Sequence, residues 1–241
     1  YTGIGTQQVE EQLKLVFPNV RCLRMDMDTT SGKTAHRDIL DAFTRREADV
    51  LIGTQMVAKG LDIPNVTLVG VVFADSTLFH SDFRSSERTF QLLTQVAGRA
   101  GRADKEGRVV IQTNAPGHRA IRLCTKHDYK TFYNLEIGDR LRTLFPPFAV
   151  FVRAQFACAD ENAAADAAER FANGVTKTIL TALKPANAEN ELVFALAGAA
   201  PIRRREGLFR YAVIIKLVRT ANTAAAINAI CLLYTSPSPR D

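Results

Sequence analysis

The chain has few cysteines, and none is arranged as a zinc site or a disulfide framework would require. Its 241 residues include four cysteines, which lie far apart and outside any CxxC or CxxH pair. This spacing gives no recognisable metal site and argues against a cysteine-stapled secreted domain. Isolated cysteines are typical of a reducing compartment, so we expect a cytoplasmic protein.

Long apolar runs are also absent. No stretch approaches the roughly 18 residues that a membrane-spanning helix needs, and the N-terminal YTGIGTQQVEEQ does not read as a signal peptide. We therefore expect no membrane partner. The hydrophobic content of 46% and charged content of 23% are ordinary for a chain with a packed core. The net charge of +6 is compatible with a polyanionic partner, although it does not identify one.

A complete phosphate-binding loop is the third absence. The segment DTTSGKT, Asp28 to Thr34, ends like one, but the pattern GxxxxGK[ST] requires glycine where Met27 stands. Asp26 and Asp28 would also bring carboxylates towards phosphate oxygens. At about 4 Å and an effective dielectric of about 20, each such contact costs on the order of 4 kcal/mol. We interpret the segment as a turn before a helix, and no GxxxxGK[ST] sequence is present elsewhere in the chain either.

The first 145 residues alternate between helix-like and strand-like segments. Apolar spacing predicts helices over 6–17, 34–46 and 85–97, and strands over 20–25, 49–53, 66–74 and 108–113. The strands are short, nearly continuous apolar runs, which is typical of parallel strands covered on both faces. This pattern predicts a doubly wound α/β domain over residues 1–145.

The pattern changes after the pair Pro146-Pro147. A strand, a long Ala-rich helix, two strands and a final helix follow, so we predict a smaller α+β domain of β-α-β-β-α order and split βαβ kind over residues 146–231. The ending LYTSPSPRD resembles translated sequencing-adapter read-through. We therefore treat residues 232–241 as a non-native tail and leave them out of the predicted fold; a genuine disordered tail is the alternative.

The motif QVAGRAGR, residues 95–102, ends the helix predicted over 85–97. Gly98 and Gly101 flank Arg99 and leave the backbone able to turn there. Arginine suits a triphosphate, because it remains charged and donates in a fixed fork to phosphate oxygens. A surface turn with salt-bridged arginines is the alternative reading.

A second motif, VLIGTQMVAKGLDIPNVTLV, lies about 40 residues upstream. Thr54 and Gln55 follow a buried strand, at the end where open α/β sheets place their ligand sites. Gly60 permits a sharp turn before Asp62. Such a segment can present a hydroxyl to a nucleic-acid phosphate and a carboxylate to a sugar hydroxyl, whereas an ordinary βα loop is the alternative.

In this order and spacing, the two motifs resemble motifs V and VI of the second RecA-like lobe of superfamily-two helicases. The blocks GTQMVAKGLDIPNVTLVGVV, DFRSSERTFQLLTQVAGRAGR and HDYKTFYNLEIGDRLRTLFPPF narrow the resemblance to the PriA family (primosomal protein N′) of replication-restart DNA helicases. With a looser match over LAGAAPIRRREGLFRYAVIIKL, the resemblance covers residues 3 to about 230. It implies a RecA-like parallel sheet, the helicase C-terminal lobe, before the α+β domain.

The resemblance also implies roles for individual residues. Arg99 and Arg102 match the two catalytic arginines that reach the γ-phosphate. Gln95 matches a position near the nucleotide, and Gly60 and Asp62 match positions that couple nucleotide to DNA, with Asp62 a candidate for the ribose.

Thr54 and Gln55 match positions near the bound DNA strand. A further family segment, DFRxxER, supplies charged residues for which we expect structural or interdomain pairing rather than chemistry: Asp82, Arg84, Glu87 and Arg88.

The densest basic run lies in the second predicted domain, and it comprises Arg203, Arg204 and Arg205, with Arg210 shortly after. We place it in a loop between two strands. A basic loop beside Phe209 and Tyr211 suits single-stranded or branched DNA, through phosphate pairing and base stacking. A solvated loop is the alternative.

As a whole, the resemblance implies part of an ATP-dependent 3′-to-5′ DNA helicase that remodels stalled replication forks and restarts replication by primosome assembly. ATP and Mg²⁺ would be shared with a first lobe that carries the Walker motifs, and zinc would bind elsewhere in the parent protein. Single-stranded-DNA-binding protein and primosome proteins are the implied partners, in the bacterial cytoplasm near the nucleoid. We expect the fragment alone to be inactive. The alternatives are a non-catalytic binding module and a fork translocase of the RecG kind.

Overall fold

The computed structural model describes residues 5–26, 35–54, 66–80, 82–100, 107–182 and 192–235. The chain divides into two compact units, residues 1–136 and 137–241. Their boundary falls inside a helix, a few residues before the predicted limit at 145, and the domain limits given above remain a prediction.

The first half of unit one is a parallel strand pair with two helices. Its elements are α1 (Thr6–Val16), β1 (Cys22–Met25), α2 (Ala35–Thr44) and β2 (Val50–Gly53). The strands pair in parallel, with Met25 opposite Gly53, so both carboxyl ends meet at one edge. The predicted helices and strands are confirmed here, apart from one or two residues at their ends.

The second half of unit one contains a second parallel pair and four helices. Its elements are β3 (Leu68–Val71), α3 (Asp75–Leu78), α4 (Ser85–Ala97), β4 (Arg108–Ile111), α5 (Arg119–Cys124) and α6 (Tyr129–Arg142), the last of which continues into unit two. β3 pairs with β4 in parallel. Among the described residues the two pairs form separate two-stranded sheets, so parallel α/β structure is confirmed while one continuous sheet remains a prediction.

Unit two is built on a three-stranded antiparallel sheet. Its elements are β5 (Ala149–Cys158), α7 (Glu161–Ala182), β6 (Leu192–Arg205), β7 (Leu208–Val218) and α8 (Thr223–Thr235). β7 lies between β5 and β6 and is antiparallel to both. β5 and β6 are therefore parallel to each other and joined through α7, which confirms the predicted β-α-β-β-α order and split βαβ arrangement.

Alanine spacing explains how α7 packs on this sheet. Ala164, Ala168, Val175 and Ile179 are at most 1% exposed and form one stripe along the helix. The small alanines let the helix lie close to β7, whose residues 213, 215 and 217 are fully buried in the same cluster.

The last helix includes residues that the sequence analysis left out of the fold. α8 continues to Thr235, and the Tyr234 hydroxyl donates to the Gln155 carbonyl at 3.0 Å. The Tyr234 ring centroid lies 5.6 Å from that of Phe156 and 5.7 Å from that of Phe171. The predicted end of the fold at residue 231 is therefore corrected to 235, because Tyr234 finds aromatic partners on the sheet and α7, whereas the non-native origin of residues 232–241 stays a prediction. Residues 236–241 lie outside the described residues.

A buried lysine lies on the face of β7 opposite α7. Lys216 is 8% exposed, and its Nζ donates to the Thr143 carbonyl at 2.8 Å. The ammonium lies 4.8, 5.5 and 5.7 Å from the ring centroids of Phe145, Phe151 and Phe194. Phe151 and Phe194 are its register partners on the two flanking strands. Ring faces thus replace much of the water that burial removes from the charge.

We expect Lys216→Ala to lower the free energy of unfolding by about 2–4 kcal/mol, as large-to-small changes at buried sites do. Lys216→Met keeps most of the packing but removes the ammonium, so the stability of this variant should lie between that of the original chain and that of Lys216→Ala. Urea unfolding followed by far-UV circular dichroism measures both. A methionine variant as stable as the original chain would show that the charge contributes nothing.

A pH-dependent contribution to stability is expected from Asp75, at the start of α3. The Thr113 hydroxyl and the Asn114 N–H donate to its buried carboxylate at 2.7 and 2.8 Å, and the Thr113 bond is the main cause that holds the pKa of Asp75 below its usual value. In the unfolded chain the group binds its proton at a higher pH, near 3.9. The stabilisation is therefore complete above that pH and is lost as the pH falls through the folded pKa.

We expect Asp75→Asn to cost about 1–2 kcal/mol at neutral pH, because a charge-assisted hydrogen bond is weakened. Its urea midpoint should then fall less steeply than that of the original chain between pH 5 and pH 2. Parallel pH profiles for the two proteins would contradict this assignment.

Candidate nucleotide and DNA contacts

Helix α4 carries two of the predicted nucleotide contacts at its C-terminal end. Gln95 is exposed in the last turn, and the half-buried Arg99 is the second residue after the helix ends at Ala97. The Arg99 N–H donates to the Val96 carbonyl at 3.0 Å, which continues the helical path by one tight turn. The structure therefore brings Gln95 and Arg99 to the same end of one helix, where an arginine can extend towards a phosphate.

Gly98 does not act as the sequence analysis expected. The helix ends where predicted, but Gly98 has a φ of −70°, a conformation open to any residue. A Cβ there would lie 3.6 Å from the Gln95 carbonyl oxygen, an ordinary contact. The conformational freedom of glycine is therefore not what turns the chain before Arg99.

The opposite end of α4 is held by Asp82. Its carboxylate accepts hydrogen bonds from the Arg84 backbone and guanidinium at 2.9–3.2 Å, and it forms an ion pair with Arg88 at 2.9 Å. The Arg84 hydrogen bonds, and secondarily the charge of Arg88, hold the pKa of Asp82 below its usual value. The Ser85 hydroxyl also donates to the His80 and Asp82 carbonyls at 2.5 and 2.6 Å. The structural pairing expected for DFRxxER is thus confirmed for Asp82.

The inner face of α4 anchors it to the helices that follow. Phe90 and Leu93 are 3% and 1% exposed, and the Phe90 ring stacks on Phe132 of α6 with centroids 4.3 Å apart and an interplanar angle of 9°. Cys124 and Ile121 of α5 belong to the same buried cluster. This packing fixes the direction in which the end of α4 points.

Several predicted residues of the first unit lie outside the described residues. These are Gln55, Gly60, Asp62 and Arg102, as well as the segment 28–34 with its incomplete phosphate loop. Thr54 is described and exposed directly after β2, at the carboxyl edge of the β1–β2 pair. At that edge the buried Asp26 carboxylate accepts from the Thr6 hydroxyl at 2.5 Å and pairs with Arg24 at 3.1 Å. Asp26 is therefore engaged with protein groups of α1 and β1.

The basic run of unit two is part of a β-hairpin and not of a loop. β6 extends through Arg205, and a two-residue turn at Glu206 and Gly207, with φ of 54° and 81°, leads into β7. Two successive positive φ angles are typical of the type I′ turns that match strand twist. The predicted loop was wrong because this turn needs only two residues, so Arg204 and Arg205 remain paired with β7, whereas Arg203 lies in the register shift between Ala199 and Arg204.

The hairpin gives the four arginines different surroundings. Arg203 Nε donates to Glu161 Oε1 at 2.5 Å, and Arg205 Nε donates to Glu206 at 3.1 Å. Arg204 lies with its guanidinium carbon 5.0 Å from the ring centroid of Phe209, its register partner on β7. Arg210 is half-buried on β7. Among the described residues no carboxylate forms an ion pair with Arg204.

Sequence reasoning missed the acid that faces this run. Glu161 begins α7, 42 positions before Arg203, and it also accepts from the Tyr211 hydroxyl at 3.2 Å. No spacing rule links the start of a helix to a hairpin so far along the chain.

The described ranges contain neither a metal-binding cluster nor a membrane-spanning helix. Within them, no group of three or more His, Cys, Asp or Glu side chains is placed to hold a metal ion. No helix described there is long and apolar enough to cross a bilayer.

Comparisons with known proteins agree with the motifs. Residues 4–104 match the family described as helicase conserved C-terminal domain. The replication restart protein PriA of Bacillus subtilis (strain 168) is 45% identical over 234 residues, which are 97% of this chain and 28% of the relative. Its namesakes from Synechocystis sp. and Haemophilus influenzae are 50% identical over 152 residues and 47% identical over 147 residues, covering 63% and 61% of this chain and 18% and 20% of their own lengths.

The chain therefore spans less than a third of the length of the curated relatives it matches. The Bacillus subtilis relative is nevertheless 45% identical over almost all of this chain, and residues 4–104 match the helicase conserved C-terminal domain. Both findings indicate the same family. The chain belongs to the family of PriA replication restart proteins and corresponds to their C-terminal region.

Proposed function

We propose that the chain is the part of an ATP-dependent 3′-to-5′ DNA helicase that completes the nucleotide site with arginines and contributes DNA contacts. In this proposal unit one is the second RecA-like lobe, which shares ATP and Mg²⁺ with a first lobe, and the whole protein remodels stalled forks and restarts replication. Single-stranded-DNA-binding protein and primosome proteins are the proposed partners, in the cytoplasm at the nucleoid. Any zinc would bind outside this chain.

The observation that carries the proposal is the end of α4. Gln95 and Arg99 lie one turn apart at the end of a helix whose other face is buried, within the helicase-matched region. A guanidinium held on such a helix stabilises charge that develops on a transferred phosphoryl group without reorganising during the reaction. Arg102 would add a second guanidinium.

The chain alone is proposed to be inactive in ATP hydrolysis. Its sequence has no GxxxxGK[ST] loop, and a lobe with only the arginines would have nothing to cradle the β- and γ-phosphates. Arg99 would therefore act on a nucleotide bound mainly by the first lobe.

The DNA contact of unit two is proposed to centre on Arg204 and Phe209. A guanidinium beside a half-buried ring near the start of β7 can meet a phosphate while the exposed part of the ring supports a base. Arg203 and Arg205 already face carboxylates, so their contribution to the field is reduced. Thr54, Gln55, Gly60 and Asp62 are proposed to contact DNA and nucleotide in unit one, and Arg210 in unit two to support the hairpin contact.

A non-catalytic DNA- or partner-binding module is the alternative, and the basic hairpin would serve it equally well. The RecG kind of translocase is disfavoured, since the relatives reported above carry the PriA name. ATP hydrolysis separates the module from the helicase.

The ATPase test uses a chimera in which this chain replaces the matching region of the Bacillus subtilis relative. Arg99→Ala should lower kcat for DNA-stimulated ATP hydrolysis by about 10³- to 10⁵-fold, the range that arginine fingers supply. Arg102→Ala should act in the same direction. Arg88→Ala, at the other end of α4, is the matched control and should leave kcat unchanged. An active chimera that is indifferent to Arg99→Ala would favour the module.

The DNA test compares two adjacent arginines in the chain itself. Arg204→Ala should weaken binding to forked DNA and reduce the slope of log K against log [salt] by about 0.7–0.9, the value for one lost phosphate contact. Arg203→Ala should change the slope less, because Glu161 already neutralises that guanidinium. Equal effects of the two variants, or none, would rule out the assignment of Arg204.

A further inference from the structure

Two exposed tyrosines stand on the first two turns of α6. Tyr129 and Tyr133 are 60% and 49% exposed, and their ring centroids lie 6.1 Å apart at an interplanar angle of 38°. Within the described part of the chain neither hydroxyl has a hydrogen-bond partner. Hydrogen bonding to the described residues therefore does not explain why two tyrosines lie at this surface. Their spacing of four residues puts both on one side of the helix.

The pair is fixed to the core by an aromatic row. The Tyr129 centroid lies 6.1 Å from that of the buried Phe90, which stacks in turn on the buried Phe132. The surface rings therefore extend from a rigid base, and ordering them on binding costs little entropy. Rigid exposed rings suit a ligand with flat apolar faces.

The charges around the pair favour an anion. Lys126 and Lys130 are exposed, one in the turn before α6 and one beside Tyr129. Asp128 accepts from the Thr131 N–H at 3.0 Å and keeps its negative charge, whereas Glu136 pairs with Arg119 at 2.9 Å, so two lysines stand against one carboxylate that is not paired with an arginine. Flat faces together with anionic groups describe a nucleic-acid strand with unpaired bases.

We propose that Tyr129 and Tyr133, flanked by Lys126 and Lys130, form a stacking site for single-stranded DNA on unit one. The bases stack on the phenol rings, and the lysines neutralise neighbouring phosphates. Its four residues are different from those proposed above to contact DNA, in unit one and in the hairpin of unit two. This inference rests on the proposed function for the class of ligand, a DNA strand. The position of the site rests on the geometry of α6.

Because the chain lacks tryptophan, tyrosine fluorescence can report directly on DNA binding at this site. The chain has no tryptophan and five tyrosines, so intrinsic tyrosine fluorescence is not masked. Titration of the chain with a thymidine oligonucleotide, about as long as the 4–16 nucleotides that such sites cover, should quench this fluorescence. The Tyr129→Phe/Tyr133→Phe double variant keeps the stacking faces, so it should bind equally well with less quenching.

The double variant Tyr129→Ser/Tyr133→Ser should bind the same oligonucleotide at least tenfold more weakly, because stacking on both rings is lost. Lys126→Ala/Lys130→Ala should reduce the salt slope by about 1.4, or 0.7 for each single-strand phosphate contact. Leu135→Ala is the matched control: it alters an exposed residue on another side of α6 and should bind normally. Urea midpoints verify that the variants are folded.

The outcomes separate this inference from the proposed function. If Arg204→Ala weakens DNA binding while the serine variant does not, the stacking site is wrong and the helicase assignment stands. If the original chain binds no oligonucleotide, the stacking site and the hairpin contact both fail, whereas the ATPase chimera still tests the proposed role of Arg99. If the serine variant alters only the sedimentation coefficient, the tyrosines are a contact between copies of the chain, and the proposal is overturned.

Discussion

The stack of Phe90 on Phe132 fixes the position of α4 in the first unit, and the two described residues of the candidate nucleotide site, Gln95 and Arg99, depend on it. The rings are 4.3 Å apart and nearly parallel, and both side chains are almost fully buried. Burial of a phenylalanine side chain contributes roughly 1.5–3 kcal/mol. α4 therefore cannot slide along α6 without losing two such side chains from the core. The stack joins the helix that ends beside Arg99 to the helix that carries the exposed tyrosines.

Local carboxylates decide which arginines remain available for a ligand. Asp82 holds Arg84 and Arg88 at the start of α4, and Glu161 holds Arg203. The guanidiniums of these pairs are exposed to water, so the pairs contribute little to stability. Their larger effect is on the electrostatic potential at the surface, because a guanidinium paired with a carboxylate attracts a phosphate less strongly than an unpaired one. Arg204, which lies over the ring of Phe209, is the contrasting case. A count of basic residues therefore overstates how much of the surface of unit two is available to a phosphate.

The sequence predicted the elements whose pattern comes from burial. The helix at 85–97 has the predicted limits, because its inward residues recur at helical spacing. β7 likewise matches its apolar run. The extension of β6 through Arg205 was missed, since exposed arginines carry no period-two signal and a two-residue turn leaves little trace. Lys216 was missed as well, because its ring partners come from a neighbouring strand on each side and from the segment before β5.

The candidate site shows the same difference between local features, which the sequence predicted, and long-range contacts, which it did not. The motifs identified Gln95 and Arg99, because helix termination and residue type are local properties that a sequence records. The partners that set their surroundings are long-range: Phe132 lies 42 positions after Phe90, as far as Glu161 lies before Arg203. With Phe90 and Leu93 locked in the core, Arg99 can move relative to α5 and α6 only through the chain that follows Ala97. Beyond rotation of its own side chain, reorientation of the guanidinium therefore needs either a change after the helix end or movement of unit one as a body.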